Sequence, residues 1–210
     1  MLTGHSLSAP TIATAWESGL SLFGSPTTLY RHDSERGVAF EIPCLTLAVD
    51  SAEDTSLPAR YRYPDLVTDY ADRLFEAQRE TSLANIRMRA WSMPDDAALD
   101  QVAAAVALLR RSPETRTAAF SLWRPDQDLN ADFPVSPIAG CFRVIAGKTH
   151  LYLVARSVDY WVGAVPELVA FARLQASVAA ELEWPAGSLV YHMWSAHIYE
   201  VDCLTHLVNG

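Results

Sequence analysis

The sequence is poor in positive charge and has no long apolar run. Its 16 Lys and Arg residues stand against 25 Asp and Glu, a formal net charge of -9. Such a surface repels a phosphate backbone, so we expect no nucleic-acid partner. No apolar run approaches the roughly 20 residues of a membrane span, and the N-terminus has neither the basic nor the apolar part of a signal peptide. We therefore expect a cytoplasmic protein without a membrane partner.

Cysteine is scarce, and histidine forms no metal-binding pattern. Cys44, Cys141 and Cys203 are odd in number, far apart and in no CxxC pair, which favours reduced, buried thiols. No HExxH or compact Cys/His set occurs. His192 and His197 are separated by an odd number of residues, which predicts opposite faces of a strand. We expect no metal site.

Apolar residues make up half of the 210-residue chain, and charged residues a fifth. This composition predicts one globular domain, residues 1–210, with a sizeable core. The periodicity of the apolar residues predicts a mixture of helices and strands. The predicted helices are 9–23, 65–80, 95–111 and 166–182, and the predicted strands are 37–51, 117–123, 141–147, 149–157 and 188–201.

The helix predicted at 95–111 has the clearest pattern. Either Asp95 or Asp96 can cap its N-terminus. Its apolar stripe consists of Leu99, Val102, Val106 and Leu109, a spacing that places one face against the core.

The stretch "GCFRVIAGKTH" ends like a phosphate-binding loop, but its spacing differs. Six residues separate Gly140 from Gly147, where a P-loop has four, and a strand follows instead of a helix. We therefore predict a hairpin turn at Ala146-Gly147.

Polar residues lie at the ends of two predicted strands. His197 and Tyr199, two apart, point to the same side of a strand. Arg156 and Ser157 end another strand, and Asp159 follows. From these residues alone, a shared site and ordinary polar strand ends are both open.

Five segments in order carry a family resemblance: "RAWSMPDDAALDQV", "SPETRTAAFSLWRP", "FPVSP", "GKTHLYLVARSVDYWVGAVPELVAF" and "SAHIYEVD". This series resembles thymidylate synthase and its relatives, the pyrimidine-nucleotide hydroxymethylases, over about residues 85–201. The first 80 residues match loosely. The resemblance implies an α+β (mixed α/β) fold, a mixed β-sheet with flanking helices, and a homodimer formed sheet against sheet.

The resemblance also implies a binding site for a pyrimidine nucleoside monophosphate. Arg156 and Ser157 correspond to ligands of the nucleotide's phosphate, since an arginine fork matches phosphate oxygens. Arg116 corresponds to an arginine that reaches this phosphate from the neighbouring subunit. His197 and Tyr199 correspond to the pair that holds the sugar hydroxyl.

Three further residues correspond to positions near the reacting groups. Asp159 and Gly163 fall where the family contacts its one-carbon donor, 5,10-methylenetetrahydrofolate. Glu167 falls at the residue that reads the base. A carboxylate only accepts hydrogen bonds, so Glu167 favours the N4 amine of cytosine over uracil.

The catalytic positions depart from the family pattern. Ser136 stands in place of the nucleophilic cysteine, and Pro137 in place of the histidine after it. Ala84 replaces the proton-abstracting tyrosine, and Thr117 replaces the second arginine of a Ser-Arg-Arg motif. An alcohol is far less acidic than a thiol, so Ser136 is either an ordinary turn residue, the interpretation we favour, or a direct participant in catalysis.

Three functions stay open from the sequence. The leading hypothesis is one-carbon transfer to C5 of a pyrimidine nucleotide, with Ser136, Glu167 and Asp159 as the candidate catalytic residues. The second is a catalytically silent nucleotide-binding subunit, which forms a heterodimer with an active paralogue and lends it Arg116. The third is a cavity reused for a nucleotide reaction that needs no addition at C6.

Overall fold

The computed structural model describes residues 4–25, 29–34, 36–75, 82–93 and 97–202. The strands are β1 (His5–Ala9), β2 (Tyr30–Ser34), β3 (Gly37–Val49), β4 (Trp91–Ser92), β5 (Ala98–Leu99), β6 (Ala119–Ser121), β7 (Ala139–Ile145), β8 (Lys148–Ala155), β9 (Val158–Asp159) and β10 (Ala186–Tyr199). The helices are α1 (Ile12–Leu22), α2 (Pro64–Phe75), α3 (Leu83–Arg89), α4 (Gln101–Arg111), α5 (Pro125–Asp128) and α6 (Ala164–Leu182).

The main sheet mixes parallel and antiparallel strands. Its order is β1-β3-β10-β8-β7-β6, with β2 beside β3 and β9 beside β10. The central strand β10 is antiparallel to β3 and parallel to β8 and β9. The expected α+β fold, a mixed β-sheet with flanking helices, is therefore confirmed.

Helix α6 forms the centre of the helical layer. It contacts α1, α2 and α4 as well as β8 and β10, and it is buried along most of its length. The strand residues that do not face these helices are partly exposed, as the alternating burial of β8 shows. One face of the sheet is thus packed against helices, while the other remains partly open to solvent.

An aromatic contact joins α1 to the turn that follows β9. The rings of Trp16 and Tyr160 are stacked at 6.3 Å, and the Trp16 indole N–H donates to the Tyr160 carbonyl oxygen at 2.9 Å. The Tyr160 hydroxyl donates back to the Trp16 carbonyl at 3.0 Å. A Cβ at Gly19 would lie 2.0 Å from that hydroxyl, so this close approach requires glycine. The contact fixes the turn that directly follows Asp159.

The predicted helix at 95–111 begins later than expected. Helix α4 starts at Gln101, and its cap is Asp100, whose carboxylate accepts from the Ala103 N–H at 2.8 Å. Asp95 and Asp96 lie outside the described residues. The assignment of Leu99 to the buried stripe was wrong: Leu99 belongs to β5, opposite Trp91 in β4, and is 38 % exposed.

Other predicted elements agree with the structure apart from their ends. The shorter elements β1, β2, β4, β5, β9, α3 and α5 were not predicted, and α1 starts at Ile12 instead of residue 9. Helix α2 covers the first part of the helix predicted at 65–80, and residues 76–80 lie outside the described part. The hairpin turn is confirmed: Ala146 and Gly147 have φ of 50° and 72° and join β7 to β8, as a two-residue turn requires.

The prediction that His192 and His197 face opposite sides of a strand was wrong. The alternation of buried residues along β10 changes phase around Trp194 and Ser195, so both histidines are partly exposed on the same side. On the neighbouring strand β3, Cys44 has a left-handed φ of 54° and interrupts the pairing at this level. The buried residues are Leu189, Tyr191 and Met193 before the change and Ala196 and Ile198 after it.

Two cysteines are less buried than the sequence suggested. Cys44 and Cys141 are free thiols and half-buried, while Cys203 lies outside the described residues. None of the helices in the described ranges is long and apolar enough to cross a membrane.

Candidate functional site

A cavity of about 340 Å³ lies where the ends of β8, β9 and β10 meet residues 132–134. This volume is at the lower end of the range for small-molecule sites. The cavity is lined by Arg36, Asp132, Phe133, Pro134, Arg156, Ser157, Asp159, His197 and Tyr199. The fold therefore brings together Arg156, Ser157, Asp159, His197 and Tyr199, which the sequence analysis had singled out.

Strand pairing brings these side chains together. Asp159 in β9 lies opposite His197 in β10, and the Tyr160 N–H donates to the His197 carbonyl at 2.7 Å. A hydrogen bond of 3.3 Å joins the Ser157 hydroxyl to His197 Nδ1. The two predicted strand ends thus form one continuous wall of the cavity.

His197 is a neutral hydrogen-bonding group at neutral pH. Burial lowers its pKa to about 4, and the nearby charges of His32, Arg36 and Arg156 act in the same direction. A neutral imidazole offers one donor and one acceptor. Its ring meets the Tyr199 ring edge-on at 5.2 Å, so the two polar side chains lie beside each other in the cavity.

Asp159 is a carboxyl group with an increased proton affinity. Burial raises its pKa, and the Val162 N–H, which donates to it at 3.1 Å, opposes this effect. The backbone of Gly163 donates to the Asp159 carbonyl at 2.7 Å, and Gly163 is the N-cap of α6. A Cβ at Gly163 would lie 3.2 Å from that carbonyl. Gly163 thus supports Asp159 but is not among the described residues that line the cavity.

Arg156 connects the cavity to the segment before Ser136. Its Nε donates to the Val135 carbonyl at 3.2 Å, and its Nη2 donates to the Pro134 carbonyl at 2.8 Å. Burial lowers the pKa of Arg156, while Asp128 and Glu167 raise it. Within the described ranges these bonds occupy two of the five N–H donors of the guanidinium, and Arg156 also lines the cavity.

Ser136 lies next to the cavity but does not line it. Its hydroxyl donates to the Ser157 carbonyl at 2.7 Å. In the described part of the chain this is the side-chain hydrogen bond that Ser136 makes, and it involves no base. The position that the resemblance assigns to a nucleophile thus holds two loops together.

Glu167 is buried in the first turn of α6 and accepts a hydrogen bond from the Tyr191 hydroxyl. Burial raises its pKa to about 8, against the lowering effects of Tyr191 and Arg156. At pH 7 the carboxyl is therefore mostly protonated and can donate as well as accept, which the sequence analysis did not anticipate. Glu167 does not line the cavity among the described residues.

The remaining predicted positions lie away from the cavity. Arg116 is exposed in the loop between α4 and β6, and Thr117 beside it is exposed as well. Ala84 is buried in α3. Neither Arg116 nor Ala84 is therefore among the described residues that line the cavity.

The sequence analysis missed four lining residues. Phe133 and Pro134 belong to the segment "FPVSP", and Asp132 precedes it. The pattern of this segment pointed to Ser136 and not to these three residues. Arg36 comes from the β2–β3 turn, and its guanidinium lies 5.4 Å from the centre of the Phe133 ring. No motif surrounds Arg36, so only the fold reveals its position.

No group of three His, Cys, Asp or Glu side chains within the described ranges is arranged to hold a metal ion.

Comparison with known sequences identifies related proteins. The profile of the thymidylate synthase family matches residues 77–207, which is more than half of the chain. Thymidylate synthase from Oenococcus oeni (strain ATCC BAA-331 / PSU-1) is 28 % identical over 105 residues, a match that covers 50 % of this chain and 33 % of that protein. The chain thus matches about a third of the length of this curated relative.

Proposed function

We propose that this chain, which belongs to the thymidylate synthase family, binds a pyrimidine nucleoside 5′-monophosphate and transfers a one-carbon unit to C5 of its base. The transfer is a methylation or a hydroxymethylation. The observation that carries the proposal is the cavity that Arg156, Ser157, His197 and Tyr199 share. These four side chains offer a cation and several neutral hydrogen-bonding groups, which suit a phosphate and a sugar.

The phosphate is placed at Arg156. Two of its donors are held by the Pro134 and Val135 carbonyls, which fixes the guanidinium while other N–H groups stay available. The Ser157 hydroxyl is adjacent and can donate to the same oxygens. His197 and Tyr199 lie on β10 and provide hydrogen-bonding groups for the sugar.

The base is assigned to Glu167, with cytosine preferred. The Glu167 N–H donates to the Gly163 carbonyl at 3.2 Å, and the Gly163 N–H donates to the carbonyl of the cavity residue Asp159 at 2.7 Å, so the backbone of Glu167 follows the cavity wall closely. An ionised carboxylate can accept from the N4 amine of cytosine but opposes the O4 acceptor of uracil. The preference for cytosine is therefore a property of the ionised form.

The one-carbon donor that we assign is 5,10-methylenetetrahydrofolate, which supplies the transferred carbon when bound. Asp159 is assigned to this group because its carboxyl lines the cavity, where the Val162 N–H donates to one of its oxygens at 3.1 Å. The Asp159 carboxyl can hold a proton or accept a hydrogen bond from a ring N–H. The Gly163 N–H donates to the Asp159 carbonyl and so holds the backbone of the two residues together. We assign both residues to the donor's side of the cavity.

A second candidate function is a silent nucleotide-binding subunit. The hydrogen bond from Ser136 to the Ser157 carbonyl favours it, because a hydroxyl that donates there and contacts no base is a poor nucleophile. Such a subunit forms a homodimer, or a heterodimer with an active paralogue to which it lends Arg116. A nucleotide reaction without addition at C6 is compatible with the same geometry.

Release of tritium from C5 separates these functions without knowledge of the one-carbon donor. CMP, dCMP, UMP and dUMP labelled at C5 are incubated with the protein, and solvent tritium is measured. Release supports addition at C6 and hence C5 chemistry, and its loss in Ser136→Ala would identify Ser136 as the nucleophile. Tight binding of a nucleotide without release, both with and without 5,10-methylenetetrahydrofolate, contradicts one-carbon transfer through C6 addition and favours the silent subunit or the third reaction class.

A further inference from the structure

A buried ion pair lies at the start of the loop that leads into the cavity. Arg87 of α3 and Asp128 at the end of α5 are 4 % and 2 % exposed, and Arg87 Nη1 donates to the Asp128 carboxylate at 2.5 Å. The same nitrogen donates to the Leu122 carbonyl, and Nη2 donates to Gln127 Oε1 at 3.1 Å. The fork of one guanidinium thus joins α3 to the residue after β6 and to α5.

The Asp128 carboxylate also binds backbone groups before and after it in the sequence. The Arg124 N–H donates to it at 2.7 Å. Burial raises the pKa of Asp128, but hydrogen bonds from Arg87 and from the Arg124 and Val135 backbone N–H groups lower it below its ordinary value. The carboxylate is therefore ionised at neutral pH and joins Arg124 to Val135. Arg87 and Asp128 are not among the described residues that line the cavity.

Val135 connects this carboxylate to Arg156. Its N–H donates to Asp128, while its carbonyl accepts from Arg156 Nε at 3.2 Å. The neighbouring Pro134 carbonyl accepts from Arg156 Nη2 at 2.8 Å. A displacement of Val135 would therefore move both acceptors that hold the Arg156 guanidinium.

Stability alone does not explain a buried ion pair at this place. The removal of two charges from water costs free energy, and apolar residues of similar volume often stabilise a fold as well or better. An ion pair differs in its directional hydrogen bonds, because a planar guanidinium and a carboxylate each hold several partners in a fixed geometry. Here the pair holds three backbone groups, the Leu122 carbonyl and the Arg124 and Val135 N–H groups.

We propose that Arg87 and Asp128 are positioning residues for nucleotide binding, which hold the Pro134 and Val135 carbonyls where these orient Arg156 toward the phosphate. This inference rests on the proposed nucleotide site. A binding group needs such support, because its geometry is precise only when hydrogen bonds behind it fix its conformation. The affinity for the phosphate thus depends on an ion pair outside the cavity.

Calorimetric titration of the double variant Arg87→Met/Asp128→Asn with CMP and with cytidine, which lacks the phosphate, tests this role. The variant loses one charge of each sign, so its net charge is that of wild type and it contains no unpaired buried charge. CMP binding should weaken by a factor between about three and about ten, because Arg156 loses part of a charge-assisted contact, and cytidine binding should stay unchanged. Arg87→Lys keeps the charge without the fork, and it is a milder second variant that should show a smaller loss for CMP.

A double-mutant cycle shows whether the pair acts through Arg156. In the Arg156→Ala background, Arg87→Met/Asp128→Asn should change CMP affinity less than twofold. Gln175→Met is the control for stability, because Gln175 is fully buried and donates to the Thr149 and Gly187 carbonyls, at the other ends of β8 and β10 from the cavity. It should lower the melting temperature and change CMP binding less than twofold.

The outcomes separate this inference from the proposed function. If wild-type protein binds CMP, and the double variant and Arg87→Lys bind it as tightly as Gln175→Met does, the positioning role is overturned while the nucleotide site stands. An equal loss for CMP and cytidine, or an equal loss with and without Arg156, also overturns it, because the pair would then not act through Arg156. If wild-type protein binds neither CMP nor UMP, the proposed function itself fails, and this inference fails with it.

Discussion

The hydroxyl of Ser136 donates a hydrogen bond of 2.7 Å to the carbonyl oxygen of Ser157. Arg156 makes two further bonds from the residue before Ser157 to Pro134 and Val135. The segment around Ser136 is therefore joined to the cavity wall by three hydrogen bonds. This relationship gives Ser136 a structural role at the position where the family resemblance implies a nucleophile.

Replacement of Ser136 by alanine should affect stability more than nucleotide binding. The variant loses one partly buried hydrogen bond, which is worth about 1 kcal/mol in the free energy of unfolding. Urea denaturation should show this loss, while calorimetry should show nucleotide affinity within about twofold of wild type. A tenfold loss of affinity at unchanged stability would mean that the hydroxyl contacts the ligand.

Glu167 should make the protein less stable as the pH rises. Its pKa is about 8 in the folded protein against an ordinary value of 4.5. Between these two pH values the folded protein keeps a proton on Glu167 that the unfolded chain releases. The contribution of this proton to the free energy of unfolding is therefore complete below about pH 4.5 and is lost as the pH rises to about 8. Over this range the free energy of unfolding falls by at most about 1.4 kcal/mol per pH unit.

Comparison of Glu167→Gln with wild type isolates this titration. Relative to wild type, the free energy of unfolding of the variant should increase between about pH 5 and about pH 8, by at most about 1.4 kcal/mol per pH unit. Glu181→Gln, at an exposed position of the same helix, is the control and should show no comparable trend. A constant difference for Glu167→Gln would contradict an increased pKa.

Glu167 should also make base preference depend on pH. As the carboxyl ionises near pH 8, CMP and dCMP should gain at least severalfold over UMP and dUMP, since an unpaired acceptor costs about 1 to 3 kcal/mol. Glu167→Asn has no titratable group, and it should remove the pH dependence and favour uracil. Calorimetry with all four nucleotides at about pH 6.5 and about pH 8.5 measures both effects; the same ordering in both proteins would exclude Glu167 as the base reader.

We predict a symmetric dimer formed through the partly open face of the sheet. Trp194 is 51 % exposed on β10, and Nε of Arg143 on β7 is buried without a hydrogen-bond partner in the described part of the chain. A second copy would cover such a face and bring Arg116 toward the neighbouring cavity. Analytical ultracentrifugation at micromolar concentration should show a dimer. A strict monomer would remove the role assigned to Arg116.

The grouping of four polar residues in one cavity was easier to predict than the ends of the strands that carry them. Arg156, Ser157, His197 and Tyr199 lie in short segments whose order resembles a known family, and strand pairing does bring them together. Arg36 could not be found this way, since more than a hundred residues separate it from Arg156 and no local pattern marks it. Its position depends on where the β2–β3 turn lies in the folded chain.

The errors have local physical causes. Asp95, Asp96 and Asp100 are equally suitable helix caps by residue type, and the pairing of Leu99 with Trp91, eight residues away, displaces the helix start. The phase change in β10 lies at the level of the left-handed backbone of Cys44 on the neighbouring strand β3, a conformation that a non-glycine residue rarely adopts, so the sequence of β10 alone does not reveal it. The increased pKa of Glu167 is caused by burial. This burial involves residues far away in the sequence, such as Tyr191 of β10, so the sequence around Glu167 does not reveal it.

The central claim is that the cavity binds a pyrimidine nucleoside monophosphate through Arg156. The most direct test is the shift in melting temperature and the calorimetric affinity for CMP, dCMP, UMP and dUMP in wild type, Arg156→Ala and the control Arg60→Ala, which alters an exposed residue outside the cavity. At least one nucleotide should stabilise wild type and Arg60→Ala, and Arg156→Ala should bind it about tenfold or more weakly. Stabilisation by inorganic phosphate equal to that by every nucleotide, or unchanged binding in Arg156→Ala, would contradict the claim.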